Sequence, residues 1–243
     1  MTQDPIFDVI DATWPAARVL IAGPWLLRDG QGGGKRVSAA TATGSVFPAD
    51  IAMAETGLAE LQQSPLFMIR DREDSLDQML AGCGYEIIDP VTVYACPVAQ
   101  LTDVRLPRVT VFEIWEPLAI MTEIWAMGGI GPARIEVMRR ASGPKTTLLG
   151  RLNEHPAAAA YVGMHGDTAM VHAIEVLEHQ RRQGMGAWIM RAAAFWAAKQ
   201  GARTVSVMCT DENLGANRLY TSLGMRVVGH YHYRYLPDEK DKS

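Results

Sequence analysis

The residues best placed to do chemistry lie in one stretch. A strand-like run, Val171-His172-Ala173-Ile174-Glu175-Val176, feeds a short loop. The loop ends in Arg181-Arg182-Gln183-Gly184-Met185-Gly186, and a long helical pattern follows immediately. The first turn of a helix presents unpaired N–H groups and the positive end of its dipole. Both favour a phosphate. Glycines at 184 and 186 remove side chains that would block close approach. Two arginines before them add charge-assisted donors. The pattern reads as a diphosphate cradle, although Gly-x-Gly at a strand-to-helix turn also serves plain tight packing. Two nucleotide motifs are excluded. The dinucleotide fingerprint needs a third glycine where Ile189 stands, and Gly34-Lys35 is followed by Arg36 rather than Ser or Thr.

A second constellation follows. Asn213 comes after a buried strand pattern, and Ala216 and Tyr220 are four apart on one helix face. Gly224 then stops the helix. Asn213 is equally suited to capping that helix, and Tyr220 to helix-to-sheet packing.

Taken together, Arg181-x-x-Gly184-x-Gly186 and then Asn213-x-x-Ala216-x-x-Leu219-Tyr220-x-x-x-Gly224-Met225 resemble the signature of the GCN5-related N-acetyltransferases, the GNAT superfamily. The one departure is Met225 where that family carries Phe. The resemblance covers about 103–236. It implies an α/β fold: a mixed, mostly antiparallel sheet, splayed near Val176, with helices on both faces. It also implies acetyl-CoA as cosubstrate and no metal. Backbone groups near Ile174 and Val176 would pair with the pantetheine arm. Amides from Arg182 through Gln183, Gly184, Met185 and Gly186 to Ala187 would hold the diphosphate, and Asn213 would touch the CoA arm. Tyr220 would protonate the departing thiolate; a phenol with an ordinary pKa of about 10 suits that task.

The family does not place a general base. On an ideal strand His172 and Ile174 point one way and Ala173 and Glu175 the other. His172 can titrate near neutral pH, and Glu175 sits beside the expected splay. His165 and Glu178 are further options. Each has a plain structural alternative: a satisfied buried histidine, a solvent-facing or capping carboxylate.

The remaining composition narrows the class. The chain has 243 residues, 48% hydrophobic and 21% charged, as globular proteins do. A net charge of -4 supplies no field for nucleic acid and mildly suits a cationic amine. Cys83, Cys96 and Cys209 are odd in number and widely spaced, which argues against a disulfide framework or zinc site. The start of the chain has no signal pattern and no apolar run reaches membrane length, so a cytoplasmic protein is expected.

The elements that must position these residues fall into two segments. Residues 1–99 read as a smaller half-domain, resembling a degenerate N-terminal half of the same fold in two-part GNAT members. Within it Trp25–Arg28 and Lys35–Ser38 flank the Gly30–Gly34 run as a hairpin. Helices are expected over 50–62 and 75–81, and strands over 85–88 and 91–96. Residues 97–107 read as a linker. The catalytic segment, 103–236, is expected to hold helices over 117–127 and 135–140, and strands over 146–152, 158–165 and 169–176. A helix over 184–200, a strand over 204–209, a helix over 213–223 and two strands over 225–229 and 231–236 complete it. A charged tail, 237–243, should fray. The alternation of Tyr231, Tyr233 and Tyr235 marks one strand face, bordering the acceptor site or packing on a second copy of the chain. The N-terminal half is expected to shape the acceptor cleft or serve as scaffold. The acceptor would be an amine on a small molecule or peptide. A catalytically silent acyl-CoA-binding sensor is the alternative.

Overall fold

The computed structural model describes residues 5–237, so most of the charged tail lies outside the described residues. In chain order the elements are α1 (Pro5–Thr13), β1 (Arg18–Ala22), β2 (Trp25–Asp29), β3 (Thr41–Ala42), α2 (Pro48–Glu60), β4 (Leu66–Arg70), α3 (Asp74–Gly82) and β5 (Glu86–Pro97). Next come α4 (Val98–Leu101), β6 (Val111–Ile114), α5 (Ala119–Met127), α6 (Pro132–Arg140), β7 (Lys145–Leu152), β8 (His155–His165) and β9 (Thr168–Val176). The chain closes with α7 (Met185–Lys199), β10 (Thr204–Thr210), α8 (Leu214–Ser222) and β11 (Arg226–Tyr235).

Eight strands form one sheet in the order β4-β11-β5-β10-β9-β8-β7-β6, and β1-β2-β3 form a small second sheet. In the large sheet β9 and β10 are parallel, and the other neighbours are antiparallel. This is the mixed, mostly antiparallel architecture expected. Strand alternation sends side chains to two cores. On β8, Ala158, Ala160 and Val162 join the core under α7, while Ala159 and Tyr161 join the core under α5 and α6. Alanine is a poor strand former, but here its small volume lets helices close on both faces of a central strand. A third core lies between α1 and the β4–β11–β5 region, and a fourth under the small sheet with α2 and α3. Among the described residues no helix is long and apolar enough to cross a membrane. Cys83, Cys96 and Cys209 are unpaired.

The two segments share this sheet. β5 lies between β10 and β11, and β4 pairs with β11. The boundary near residue 99 therefore divides the sequence but not the sheet. The arrangement repeats itself. β4-α3-β5 and β10-α8-β11 are both strand–helix–strand units, and exchanging them merely reverses the order β4-β11-β5-β10. The matching extends to single bonds. Asp211 N donates to Pro90 O at 2.8 Å, and Asp71 N donates to His230 O at 3.2 Å. Tyr85 N bonds Leu80 O and Met225 N bonds Tyr220 O, both at 3.1 Å. Gly84 (φ 87) and Gly224 (φ 73) each end their helix in the left-handed region, which glycine enters without strain. Leu80 stands where Tyr220 stands in the second copy.

Several local expectations need correction. Lys35–Val37 is a single 3-10 turn, not a hairpin strand. β2 already has β1 on one edge and β3 on the other, so no edge is left for it. The strands expected over 85–88 and 91–96 are one strand, β5, kinked at Asp89 (φ 48), and those over 225–229 and 231–236 are one strand, β11, with two register shifts. β1, β4 and β6 were not anticipated; each is five residues or fewer. The linker contains a helical turn, α4.

One ion pair ties α3 to β11. Arg234, only 9% exposed, gives Nε and Nη2 to the two oxygens of Asp77 at 2.7 and 2.8 Å and Nη1 to Tyr85 O at 2.9 Å. His232 Nε2 shares the Asp77 carboxylate at 2.7 Å. These partners, the Arg234 hydrogen bonds first, hold the Asp77 carboxyl below its ordinary range. Asp77→Ala leaves a buried guanidinium without its counter-charge and should lower unfolding free energy by about 3 kcal/mol, measured by urea denaturation. The wild-type contribution is present above the ordinary carboxylate pKa and lost as pH falls through the lowered folded value. A loss under 1 kcal/mol would contradict this role.

Candidate active site

β9 and β10 are paired only from Thr168–Val171 against Thr204–Val207. Beyond that β10 keeps β5 as its partner and β9 keeps β8, so the two strands separate. The cause lies in β9. Its register against β8 shifts between the pairs His172–Tyr161 and Glu175–Ala159, and Ala173 takes φ 51. This is a β-bulge, which inserts one residue and bends the strand. Trp125, fully buried on α5, donates its indole N–H to Ala173 O at 2.8 Å. That bond satisfies a carbonyl at the bulge and holds the bend.

The bulge overturns simple alternation. His172 packs against Trp14 and Tyr161 on the α5–α6 face, while Ile174 packs with the core under α7. Ala173 lies on the His172 side. Val176 joins Ile174 against the core, and its carbonyl accepts Arg181 Nε at 2.9 Å.

The separated strands enclose a cleft of about 180 Å³, lined among others by Ile174, Val207, Cys209, Asn213 and Tyr220. Past the end of β9 the loop climbs to the head of α7. Arg182 (φ 59) and Gly184 (φ 82) both adopt left-handed backbone, turning the chain into the helix. The backbone N–H groups from Arg182 to Ala187 have no acceptor among the described residues, and the first intrahelical bond is Trp188 N to Gly184 O. Six consecutive free amides at the head of a 15-residue helix suit a diphosphate. Met185 is buried in the core and offers the site only its backbone. At Gly186 a Cβ would meet Leu219 Cδ2 at 2.8 Å, so the bareness of this position lets α7 pack on α8. Arg181 does not extend toward the amides. It turns back to Val176 O and to Glu175 Oε1 at 3.0 Å. Arg182 and Gln183 are exposed beside the amides.

On the opposite wall Asn213 caps α8, accepting Ala216 N at 3.1 Å. Tyr220 is 4% exposed; its hydroxyl has no hydrogen-bond partner among the described residues, and the residue lines the cleft. Burial, then Cys209 and Tyr94, raises its pKa above the ordinary phenol value. It stays protonated at any working pH. Cys209 shows how the cleft treats a thiol: burial, then Asp211, pushes it up to about 11.

His172 differs from expectation. Its Nδ1 meets Arg36 Nη1 at 3.0 Å, and its Nε2 meets Thr13 Oγ1 at 2.8 Å. A guanidinium only donates, so Nδ1 is the acceptor and Nε2 carries the proton. Thr13 in turn donates to Val9 O at 2.6 Å. Both ring nitrogens are engaged, and burial followed by the Arg36 charge drives the pKa well below 6.5. The expected titration near neutral pH is corrected accordingly. Glu175 is a partly buried ion-pair partner of Arg181, and its Oε2 abuts Gly128 in the turn between α5 and α6.

Arg36 was read only as a hairpin residue. It borders the cleft and also a second cavity of about 260 Å³ that adjoins it, where residues 33–36 meet Tyr231 and Tyr233 of β11. Its motif signal was weak: a basic pair after a glycine run has no fixed role. Tyr231 and Tyr233 are buried against α1 and line this cavity, while Tyr235 lies at the strand end.

The neutral, buried imidazole has a thermodynamic signature. The folded pKa lies below the unfolded value near 6.5, so stability is full above that pH and falls as pH drops beneath it. His172 should account for about 1 kcal/mol of lost stability between pH 6.5 and 5.5. Urea denaturation of wild type and His172→Gln at both pH values measures the difference. Equal slopes in the two proteins would show that His172 titrates normally.

Comparison with known proteins agrees with this geometry. Residues 117–225 match the acetyltransferase (GNAT) family. An uncharacterized N-acetyltransferase, YobR, of Bacillus subtilis is 27% identical over 233 residues, spanning 92% of this chain and 94% of that protein. A GCN5-related N-acetyltransferase from Kribbella flavida superposes with a TM-score of 0.71 at 21% identity, over 98% of this chain and 96% of its own. A functionally unknown conserved protein from Staphylococcus epidermidis superposes with a TM-score of 0.69 at 13% identity, over 94% and 97%. Two motifs in order, a parallel strand pair opened by a bulge, free amides at a helix head and the family match together mark residues 117–225 as a GNAT acetyltransferase domain.

Proposed function

We propose that the protein transfers an acetyl group from acetyl-CoA to a primary amine by direct attack. The observation that carries this reading is the placement of the free Tyr220 hydroxyl in the β9–β10 cleft, with six free amides at the α7 head where β9 leads out of it. Acetyl-CoA, when bound, supplies an activated thioester. The residues fit it: the amides from Arg182 to Ala187 are of a kind and number to hold its diphosphate, and Gly186 lets α8 pack close beside that helix head. The unpaired β9 edge after Val171 is suited to sheet-like bonds with the pantetheine amides. A β9 N–H near Val176 is suited to polarising the thioester carbonyl.

Tyr220 is assigned the proton donated to the departing sulfur. Its raised pKa does not spoil the match, because the sulfur leaves in the same dry cleft. Desolvation there raises thiol basicity as well, as Cys209 shows. His172 is assigned to fixing Arg36 rather than to proton transfer. Glu175, whose Oε2 carries no hydrogen bond, is assigned the amine proton through water.

A CoA-release assay over chemically diverse amines tests the reading. Tyr220→Phe should lower kcat about 100-fold with little change in acetyl-CoA affinity by calorimetry. Unchanged kcat would remove Tyr220 as the acid. Acetyl-CoA binding with no release for any amine would favour a silent sensor. Glu175→Gln should lower kcat at least about tenfold with acetyl-CoA affinity little changed; an unaltered kcat would leave Glu175 a structural ion pair.

A further inference from the structure

The second cavity holds an arginine with no carboxylate partner among the described residues; the hydroxyls of Tyr231 and Tyr233 in the same cavity are near enough to favour its charge. Arg36 bonds His172 Nδ1 through Nη1, and its guanidinium lies 5.6 Å from the Trp14 ring centroid. Its Nε is buried without a partner, and no carboxylate is within ion-pair distance among the described residues. Two other buried arginines are treated differently. Buried Arg28 pairs with Asp11 at 2.7 Å, and buried Arg234 takes both oxygens of Asp77. A desolvated charge without a counter-ion is destabilising, so its retention needs a reason.

The surroundings sharpen the point. Asp89 is the carboxylate lining this cavity, and it is already paired with Lys35 at 2.7 Å. Arg134 of α6 also lines it and has no ion pair among the described residues. The cavity thus carries two guanidinium groups without a carboxylate partner among the described residues, Arg36 desolvated and Arg134 exposed at its rim. His172 cannot neutralise either; it is uncharged, and it orients Arg36. Arg36 borders the Tyr220 cleft as well, so a ligand held by it reaches toward the reacting centre. At about 260 Å³ the cavity suits a molecule smaller than a typical drug. Guanidinium forks match carboxylates in plane and spacing.

We propose that the acetyl acceptor is a small amine bearing its own carboxylate, an amino-acid-like molecule, whose acid group is held by Arg36 with help from Arg134 while its amine faces the β9–β10 cleft. This rests on the acetyltransfer reading for the amine's role, but the anion-binding half is separable from it. His172 is a positioning residue for Arg36, and Arg36 selects among acceptors.

The test is calorimetric and needs no acetyl-CoA. The full chain is titrated with a panel of amino acids, each beside its decarboxylated amine and its carboxamide, and with phosphoethanolamine as a phosphate-bearing amine. At least one amino acid should bind about 100-fold more tightly than its carboxylate-free partners. Arg36→Met should erase that ratio, and Arg36→Lys should keep part of it. Arg134→Met, at an exposed position where folding is safe, should reduce it about tenfold. Carboxylate-free amines binding equally well, no amino acid binding at all, or preference for phosphoethanolamine would each overturn the assignment. So would a ratio unaffected by Arg36→Lys and Arg134→Met, should Arg36→Met fail to fold. If the selective binding holds but wild type releases no CoA from acetyl-CoA with the same amino acid, the acetyltransfer reading falls and the carboxylate site stands.

Discussion

The bend of β9 at Ala173 is the constraint on which the site depends. An alanine held at positive φ is strained by about 1 kcal/mol or more. It persists because Trp125 reaches from α5 to its carbonyl, and because β8 continues to pair on both sides of the bulge. Without the extra residue β9 and β10 could remain paired to their ends, and there would be no cleft between Ile174 and Tyr220. The same residue decides which side chain faces which core. One inserted position sends His172 toward Trp14 and Ile174 toward α7. A packing interaction on one face of the sheet therefore shapes a cleft at its centre.

The second theme is a repeated unit with unequal chemistry. β4-α3-β5 and β10-α8-β11 meet around the β5–β11 pair, with matched backbone bonds from Asp71 and Asp211. Only the second unit carries a tyrosine at the facing position; the first has Leu80, which fills the core under the small sheet. The first unit supplies structure to the second. β5 flanks β10 along its whole length and leaves it supported where β9 departs. The segment before it contributes Arg36 and Lys35 to the neighbouring cavity. The two segments cooperate through one sheet rather than across a hinge.

Charge is distributed by the same logic. Where the fold needs a buried cation it supplies a partner, as for Arg28 and Arg234. Around Arg36 it supplies no carboxylate but a neutral imidazole, which orients the guanidinium, and the hydroxyls of Tyr231 and Tyr233. The sequence-level balance of -4 says nothing of this, since it sums over surface groups that never share a field with the cavity.

Local chemistry determined a good part of this protein. The spacing from Arg181 to Gly186 and from Asn213 to Met225 marked a helix head and a capped helix, because both depend on residues a few positions apart. Strands β7 to β10 and helices α2, α3, α5 and α7 were legible from apolar periodicity and glycine stops for the same reason. The short edges β1, β4 and β6 were not legible, since too few residues show a period and their pairing is remote. The hairpin expected around Gly30–Gly34 failed because hydrogen-bonding edges are allotted by the whole sheet. The bulge at Ala173, the neutral state of His172, the turning back of Arg181 and the isolation of Arg36 were decided only by tertiary structure. Each depends on groups distant in the chain, brought into contact where water no longer sets their protonation, direction or partners.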